Sequence, residues 1–293
     1  MPVLETRSLA NGMIMFDKDQ CAAAGQALHE QYAAADPFPH IVLDDFIDAE
    51  LLRSLLVEWP TSGEELAFDR AQERLKLAWR PINLTTPGLR NFLAEMNSEP
   101  ILAFLEGLTG IKKLLTDPYY SGGGLHEMRC GGHLGIHADF NIQTRIGVLR
   151  RLNLLIYLND GWQPEWEGDL ELWTRDMSRC VRSAAPVMAR AVIFNTDLDS
   201  FHGVPTAIAC PPDRARRSIA LYYYTAPTAG LDTVPVRDTV FKRRPGSSDR
   251  TDWQVMRQHK MADWIPPALY RRSAIDWLPP ALYRMLRAKK APG

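Results

Sequence analysis

In the first part of the chain, apolar residues recur at the spacing of amphipathic helices. Four leucines on one helical face follow Asp48, namely Leu51, Leu52, Leu55 and Leu56. Asp48 is a typical N-cap residue for such a helix. Thr86-Pro87 predicts the start of a second helix, and Gly110 is suited to end a third one. We therefore predict that residues 1–118 form a mostly helical N-terminal support.

The pattern changes after Asp117-Pro118, where short runs rich in β-branched and aromatic residues are separated by Gly, Pro, Asn and Asp. The runs that we predict as strands in this part are 125–128, 152–158, 169–173, 191–194 and 218–224, and an earlier strand is predicted at 40–43. This spacing is typical of an antiparallel sandwich or barrel. Helices followed by strands predict an α+β fold in which the helices pack against one sheet.

The composition is that of an ordinary globular protein. Of the 293 residues, 46% are hydrophobic and 24% are charged, so the chain can bury a core without disulfides. The formal net charge of −1 gives no reason to expect a nucleic-acid partner. The four cysteines form no Cys-x-x-Cys pair, which favours a reducing, cytoplasmic setting. We expect no transmembrane segment, because the longest uncharged apolar stretch, 152–159, is far shorter than the ~20 residues needed.

The C-terminal extension, residues 229–293, contains a short duplication. The sequence at 263–271 recurs at 276–284, with one Ile replaced by Leu. Each copy places two prolines before Ala-Leu-Tyr-Arg, which predicts a short helix that packs onto the domain. The alternative is a surface for docking to a partner or to a membrane interface, which nearby basic residues would favour.

His137 and Asp139 lie two residues apart, and His202 follows much later in the chain. Residues i and i+2 of a strand point to the same face, so an imidazole and a carboxylate at this spacing can reach one metal ion. A histidine from a distant strand would complete a face of two histidines and one carboxylate, as in non-haem iron(II) oxygenases. We therefore predict that His137, Asp139 and His202 are the metal-binding and catalytic residues.

A second group of polar residues lies near the start of the last predicted strand. Arg216 and Ser218 share one face of that strand, and a guanidinium group with a hydroxyl suits a carboxylate such as the distal one of 2-oxoglutarate. A shift of one residue in the strand would place Arg217 there instead, and the sequence leaves this choice open. Asn153 and Tyr157 add polar groups to one face of another, mostly apolar strand.

Together these motifs resemble those of the prolyl-hydroxylase-like branch of the Fe(II)/2-oxoglutarate-dependent oxygenases. The order of the family motif is met by five residues, His137, Asp139, His202, Arg216 and Ser218. The family's Tyr-Leu-Asn strand end before a tryptophan matches residues 157–159 and Trp162. Its Gly-Gly-x-Leu turn is approximated at 167–170, with Gly168-Asp169 where the family often has two glycines. The resemblance covers about residues 119–225.

The resemblance implies a double-stranded β-helix, a cupin-like jelly roll, formed by residues 119–228 and integrated with the N-terminal support and the extension into one catalytic unit. It implies that iron(II) is held by His137, Asp139 and His202. It also implies that 2-oxoglutarate is bound by Arg216, Ser218, Tyr157, Asn153 and Leu170. The implied reaction uses O2, with ascorbate in support, hydroxylates a C–H bond of a small-molecule, peptidyl or sugar- or lipid-linked substrate, and releases succinate and CO2.

Other functions are compatible with parts of this pattern. A non-oxidative cupin-like metalloenzyme, such as an isomerase or epimerase, would not need the Arg-x-Ser anchor. A catalytically silent sensor would bind 2-oxoglutarate without forming succinate. A zinc hydrolase using His126, His133 and His137 is disfavoured, because Gly131 and Gly132 disfavour the helix that such a site needs.

Overall fold

The computed structural model describes residues 1–9, 13–61, 66–81, 84, 86–228 and 236–249. The duplicated sequence at 263–284 lies outside these residues. The short helices predicted for it and its docking role therefore remain predictions.

Helices in the described ranges all lie in the N-terminal part of the chain. They are α1 (Lys18–Ala27), α2 (His29–Ala33), α3 (Ala49–Val57), α4 (Pro87–Glu95) and α5 (Glu99–Thr109). As the sequence predicts, Asp48 caps α3 by accepting a hydrogen bond of 3.0 Å from the Leu51 N–H. Gly110 ends α5 in the left-handed region, with a φ of 73°. None of these described helices combines the length and the hydrophobicity needed to cross a bilayer.

Helices α1 and α5 approach each other through two glycines. A Cβ atom on Gly25 would lie 2.1 Å from the carbonyl oxygen of Phe104, and one on Gly107 would lie 3.0 Å from the carbonyl oxygen of Ala22. A larger side chain at Gly25 would therefore force the two helices apart. The close contact makes the pair a compact support behind the sheet.

All of the strands in the described residues pair antiparallel. Strands β1 (Thr6–Ser8) and β2 (Ile14–Phe16) form a separate pair. The remaining described strands form one sheet: β3 (His40–Leu43), β4 (Leu66–Arg70), β5 (Glu73–Trp79), β6 (Leu115–Thr116), β7 (Gly124–Ala138), β8 (Ile142–Gln143), β9 (Val148–Tyr157), β10 (Leu170–Trp173), β11 (Cys180–Ala184), β12 (Ala191–Asn195), β13 (His202–Val204), β14 (Ala215–Thr225) and β15 (Val240–Phe241). The main path runs β11-β10-β13-β7-β14-β9-β12-β3. Strands distant in sequence are thus neighbours, as in a jelly roll, and the predicted fold class is confirmed.

Strands β4 and β5 lie in the segment for which the sequence predicts mostly helices. Strand β5 pairs with β7, where Leu77 lies opposite Glu127 and Trp79 lies opposite Leu125. Charged residues interrupt the apolar positions of both strands, which conceals their two-residue period from pattern analysis. The N-terminal part of the chain therefore contributes strands as well as helices to the structure around the site.

Strand β9 separates two environments. Three of its residues pack in the apolar core beneath the helices: Leu152, Leu154 and Ile156. The alternate residues point into the jelly roll: Asn153, Leu155 and Tyr157. The apolar core is thus kept apart from an interior that accommodates polar side chains.

A candidate metal centre and its adjoining cavity

The jelly roll brings His137, Asp139 and His202 together at one end of β7. His137 and His202 are cross-strand partners in β7 and β13, and Asp139 directly follows β7. The His137 Nε2 atom lies 3.6 Å from Asp139 Oδ1, and the His202 Nε2 atom lies 3.4 Å from Asp139 Oδ2. One ligand atom from each residue lies within 4.8 Å of the others, and the described residues contain no second such group.

Backbone carbonyls orient both imidazoles. The His137 Nδ1 atom lies 2.9 Å from the carbonyl oxygen of Gly135, and the His202 Nδ1 atom lies 2.9 Å from that of Ser200. A carbonyl oxygen only accepts hydrogen bonds, so each Nδ1 carries the ring proton. Each Nε2 therefore keeps a lone pair on the side of Asp139, where a metal ion would be bound.

Burial and charge favour protonation states that bind a metal. Burial, together with the nearby His137, lowers the pKa of His202 to about 4. Burial would raise the pKa of Asp139, but the Arg150 charge and the two histidines outweigh it and hold this pKa well below its usual value. At neutral pH the site therefore offers a neutral His202 and an ionised carboxylate, the forms that coordinate metals.

Arg150 is a residue of this site that sequence analysis missed. Its Nη2 atom lies 3.0 Å from Asp139 Oδ2, and its side chain is 1% exposed. The guanidinium carbon lies 3.5 Å from the centre of the Tyr222 ring and 4.5 Å from that of Phe140. Arg150 also donates two hydrogen bonds to Asn153 Oδ1. The buried cation is thus held by aromatic faces and balanced by Asp139.

A bulge in β9 explains why the sequence does not reveal this contact. Leu152 lies opposite Tyr223 of β14, whereas Arg150 lies opposite Tyr224, so one residue of β9 is skipped. Arg150 and Asn153 therefore face the same side, although they are three positions apart. Strict alternation would place them on opposite faces, and no pattern in the sequence marks the bulge.

A cavity of about 280 Å³ adjoins the three candidate ligands. Its wall also contains four of the residues predicted to bind the co-substrate: Arg216, Ser218, Asn153 and Leu170. The fifth, Tyr157, lies beside them, with its ring centre 4.8 Å from the guanidinium carbon of Arg216. The structure therefore gathers all of the predicted site residues around one space.

Arg216 has a donor that the protein leaves unpaired. The residue is 4% exposed, and its Nε donates a hydrogen bond of 2.6 Å to the carbonyl oxygen of Gly168. Within the described ranges, its Nη2 is buried without a hydrogen-bond partner, as is the Tyr157 hydroxyl. Because unpaired buried polar groups are destabilising, these two groups fit a ligand that brings its own acceptor. The carboxylate of 2-oxoglutarate is such an acceptor.

Arg217 points away from the cavity. Its Nε donates a hydrogen bond of 3.0 Å to Glu127 Oε2, and its guanidinium carbon lies 5.6 Å from the Trp59 ring centre. Neighbouring residues of a strand face opposite sides, so Arg216 is the one of the two arginines that faces the cavity. The register of β14, which the sequence leaves open, thus places Arg216 and not Arg217 at the cavity.

The turn before β10 places the carbonyl group that anchors Arg216. Gly168 has a φ of 88°, which an L-residue rarely adopts. A Cβ atom there would lie 3.3 Å from Arg216 Cδ and 3.3 Å from Trp162 Cζ2. The next residue, Asp169, accepts a hydrogen bond from Ser183 Oγ. Gly168 is therefore the residue of this turn at which the contact with Arg216 requires glycine.

The two other histidines of β7, His126 and His133, have different positions relative to the cavity. His126 lines the cavity, and its Nε2 is buried with no hydrogen-bond partner among the residues that the structure describes. Burial, followed by the positive charge of Lys76, lowers the pKa of His126 well below its usual value. His133 instead lies outside the cavity wall, with its Nε2 atom 3.2 Å from the carbonyl oxygen of Ala71. Because β7 is a strand, the helical zinc site considered from the sequence is not formed.

The fold and the clustered donor atoms define a jelly-roll protein with a candidate iron centre. Residues 123–224 match the sequence model of the family described as the 2OG-Fe(II) oxygenase superfamily. The match confirms the resemblance drawn from the motifs and the expected cofactor and co-substrate, iron(II) and 2-oxoglutarate. No curated protein matches this chain.

Solved structures match the chain at low sequence identity. A prolyl-4-hydroxylase from Pseudomonas putida is 21% identical, with a TM-score of 0.48, over 69% of this chain and 98% of that one. A prolyl hydroxylase from Trichoplax adhaerens, in complex with a hypoxia inducible factor peptide, is 16% identical, with a TM-score of 0.49, over 70% and 91%. HygX from Streptomyces hygroscopicus, with nickel and 2-oxoglutarate bound, is 11% identical, with a TM-score of 0.48, over 73% and 96%.

Proposed function

We propose that this protein is an Fe(II)- and 2-oxoglutarate-dependent dioxygenase that hydroxylates an unactivated C–H bond and releases succinate and CO2. The observation that carries the proposal is the convergence of His137, Asp139 and His202 beside a cavity whose wall also holds the unpaired Nη2 of Arg216. Two nitrogen donors and one carboxylate suit iron(II) and leave positions open for a chelating co-substrate.

In this proposal Arg216 binds the distal carboxylate of 2-oxoglutarate. Its Nε is fixed by Gly168, which leaves Nη2 available for a charge-assisted hydrogen bond. The Ser218 and Tyr157 hydroxyls supply further hydrogen bonds, and Leu170 supplies apolar contact. The side chain of Asn153 donates a hydrogen bond to Asp139 and accepts one from Arg150. We therefore assign Asn153 the role of orienting Asp139.

The remaining residues of the cavity position the substrate and exclude water. Bound iron(II) and 2-oxoglutarate would together supply the electrons that activate O2, and O2 is the oxidant for cleavage of the C–H bond. Strand β15 pairs with β7, and the Phe241 ring centre lies 5.3 Å from that of His137. Phe241 thereby covers one side of the site, and Phe140 and Tyr222 line another part of the wall. This apolar surround keeps oxidation directed at the bound substrate.

We further propose that residues 119–228 are the catalytic core, that residues 1–118 support it, and that residues 229–293 extend it, all within one catalytic unit. The pairing of β5 and of β15 with β7 supports the single unit, because both strands contribute to the same cavity wall as the core. The substrate class proposed from the sequence is a small molecule, a peptidyl residue or a sugar- or lipid-linked compound.

The test is anaerobic addition of Fe(II) and 2-oxoglutarate to the purified full chain, followed by visible spectroscopy. We expect a weak metal-to-ligand charge-transfer band in the wild type and in the control variant His133→Ala. We expect no band from His137→Ala at the same iron concentration. After admission of air, uncoupled succinate release is expected to follow the same pattern.

Absence of the band from wild-type protein shown to contain iron would contradict the proposal. A band in His137→Ala would remove that residue from the ligand set. A band without any succinate release would instead favour a 2-oxoglutarate-binding sensor over an oxygenase.

A further inference from the structure

We propose that the mouth of this cavity binds an anionic group of the substrate, a carboxylate or a phosphate. The proposal rests on the function proposed above, because it names the substrate class of that same site. It is carried by the hairpin of β4 and β5, which places three cations and one acid in the cavity wall.

A bulge determines which hairpin residues face the cavity. These residues are Phe68, Arg70, Glu73, Lys76, Ala78 and Arg80. Lys76 lies in β5 and Arg80 directly follows it. The two-residue alternation of a strand places both side chains on the same face. Glu73 joins them because Leu75 has a φ of 48° and the register with β7 shifts between Arg74 and Lys76. The bulge therefore places Glu73 in the wall, where regular alternation from Lys76 would place Arg74.

Glu73 balances only part of this positive charge. Its Oε1 lies 2.9 Å from Lys76 Nζ, and its Oε2 lies 2.9 Å from Arg70 Nη2. Burial would raise the pKa of Glu73, but the two cations outweigh burial and lower it, so the carboxylate is ionised at neutral pH. One negative charge thus faces two positive ones. For Arg80, no ion pair is found within the part of the chain that the structure describes.

The cavity stays positive after its cofactor and co-substrate are counted. The cations in its wall are Arg70, Lys76, Arg80, Arg150 and Arg216, and the acids are Glu73 and Asp139, which leaves three positive charges in excess among these residues. Bound Fe(II) adds two positive charges and the 2-oxoglutarate dianion removes two. A substrate anion is therefore attracted, and a substrate whose only charge is an ammonium group is repelled.

The cationic side chains at the two ends of the cavity differ in solvent exposure, so we assign the two ends to different anions. Arg216 is 4% exposed and lies deep, where the co-substrate is proposed to bind. The side chain of Arg70 is 45% exposed and that of Lys76 is 13% exposed, so both lie nearer the solvent. Phe68 lies beneath them, with its ring centre 5.1 Å from Lys76 Nζ. The mouth thus combines donors for an anion with an apolar surface for the body of the substrate.

The experiment measures the binding of simple anions by isothermal titration calorimetry. The full chain is loaded with Mn(II), which does not support turnover, and saturated with 2-oxoglutarate, so that Arg216 is occupied. The probes are phenyl phosphate, benzoate and the neutral benzyl alcohol. The variants are Arg80→Gln and Lys76→Gln. The control is Arg74→Gln, a cation of the same hairpin that pairs with Asp69 and lies outside the cavity wall.

We expect at least one anion to bind more tightly than benzyl alcohol, with an affinity that falls as salt is added. Arg80→Gln and Lys76→Gln are each expected to weaken the binding of that anion about tenfold, the effect of one charge-assisted hydrogen bond. Arg74→Gln is expected to leave the affinity for the anion unchanged. The preferred probe identifies the group as phosphate or carboxylate.

Equal affinity for anions and benzyl alcohol, or equal losses in all three variants, would overturn the proposal. The charge-transfer band of the Fe(II) and 2-oxoglutarate complex is recorded in parallel. A normal band without anion binding refutes the substrate class alone, whereas loss of the band in the wild type refutes the proposed oxygenase.

Discussion

Asn153 donates a hydrogen bond of 2.9 Å to Asp139 Oδ2, which ties a candidate metal ligand at the end of β7 to β9, although β14 lies between these two strands in the sheet. The same carboxamide accepts hydrogen bonds of 3.1 Å and 2.6 Å from Arg150. Both ends of the Asn153 side chain are therefore used within the protein. This relationship separates two roles for Asn153, a direct contact with 2-oxoglutarate and the orientation of Asp139.

The variant Asn153→Leu is expected to weaken metal binding by about 10- to 100-fold, as removal of groups that orient a ligand does elsewhere. Its affinity for 2-oxoglutarate, measured at saturating Mn(II), is expected to stay within about twofold of wild type, since the lost partner is Asp139. Calorimetric titration of Mn(II) and then of 2-oxoglutarate provides both values. The opposite result, with normal metal affinity and weak 2-oxoglutarate binding, would assign Asn153 to the co-substrate.

Arg216→Gln is expected to weaken 2-oxoglutarate binding by about 10- to 150-fold, because a hydrogen bond to a charged group contributes roughly 1.5–3 kcal/mol. Arg217→Gln is the matched control, since Arg217 pairs with Glu127 away from the cavity. We expect its affinity for 2-oxoglutarate to remain near that of the wild type. A larger effect at Arg217 than at Arg216 would place the anchor one residue later.

Gly168→Ala is expected to damage both stability and 2-oxoglutarate binding. The left-handed backbone costs an L-residue about 1–2 kcal/mol, and the new Cβ would press on Arg216. Gly161→Ala is the control, because Gly161 has a φ of 58° but nothing within 4 Å of its added Cβ. Urea unfolding should show losses in both variants, whereas 2-oxoglutarate affinity should fall in Gly168→Ala alone. An equal loss of affinity in both would show that backbone strain, not the contact with Arg216, is responsible.

His126 is expected to make the metal-free protein sensitive to acid. Burial lowers its pKa in the folded state, with further contributions from the charges of Lys76, Arg216 and Arg150. Below its unfolded pKa of about 6.5, the unfolded chain binds a proton that the folded chain does not, so stability falls as pH falls. The variant His126→Gln should lose stability less steeply between pH 6.5 and 5, by up to about 1.4 kcal/mol per pH unit. Urea unfolding at several pH values measures these slopes, and parallel slopes would contradict the assignment.

Local signals in the sequence predict much of this architecture. The cap at Asp48, the helix end at Gly110 and the strand 191–194 are found close to their expected positions. The spacing of His137 and Asp139 predicts their common face, because two-residue alternation holds at the end of β7.

The unpredicted features depend on interruptions of that alternation. Arg150 reaches Asp139 through a bulge in β9, and Glu73 reaches the cavity through a bulge at Leu75. Such bulges are set by pairing with strands far away in the chain, so a reading of local periods does not find them. The choice between Arg216 and Arg217 likewise requires the register of β14 against β7.

The strand that covers His137 has a consequence for the order of assembly. Val240 and Phe241 pair with Ala138 and His137, yet they are translated well after the two histidines and the aspartate. The aromatic ring beside His137 is therefore the last part of this wall to be synthesised within the residues that the structure describes.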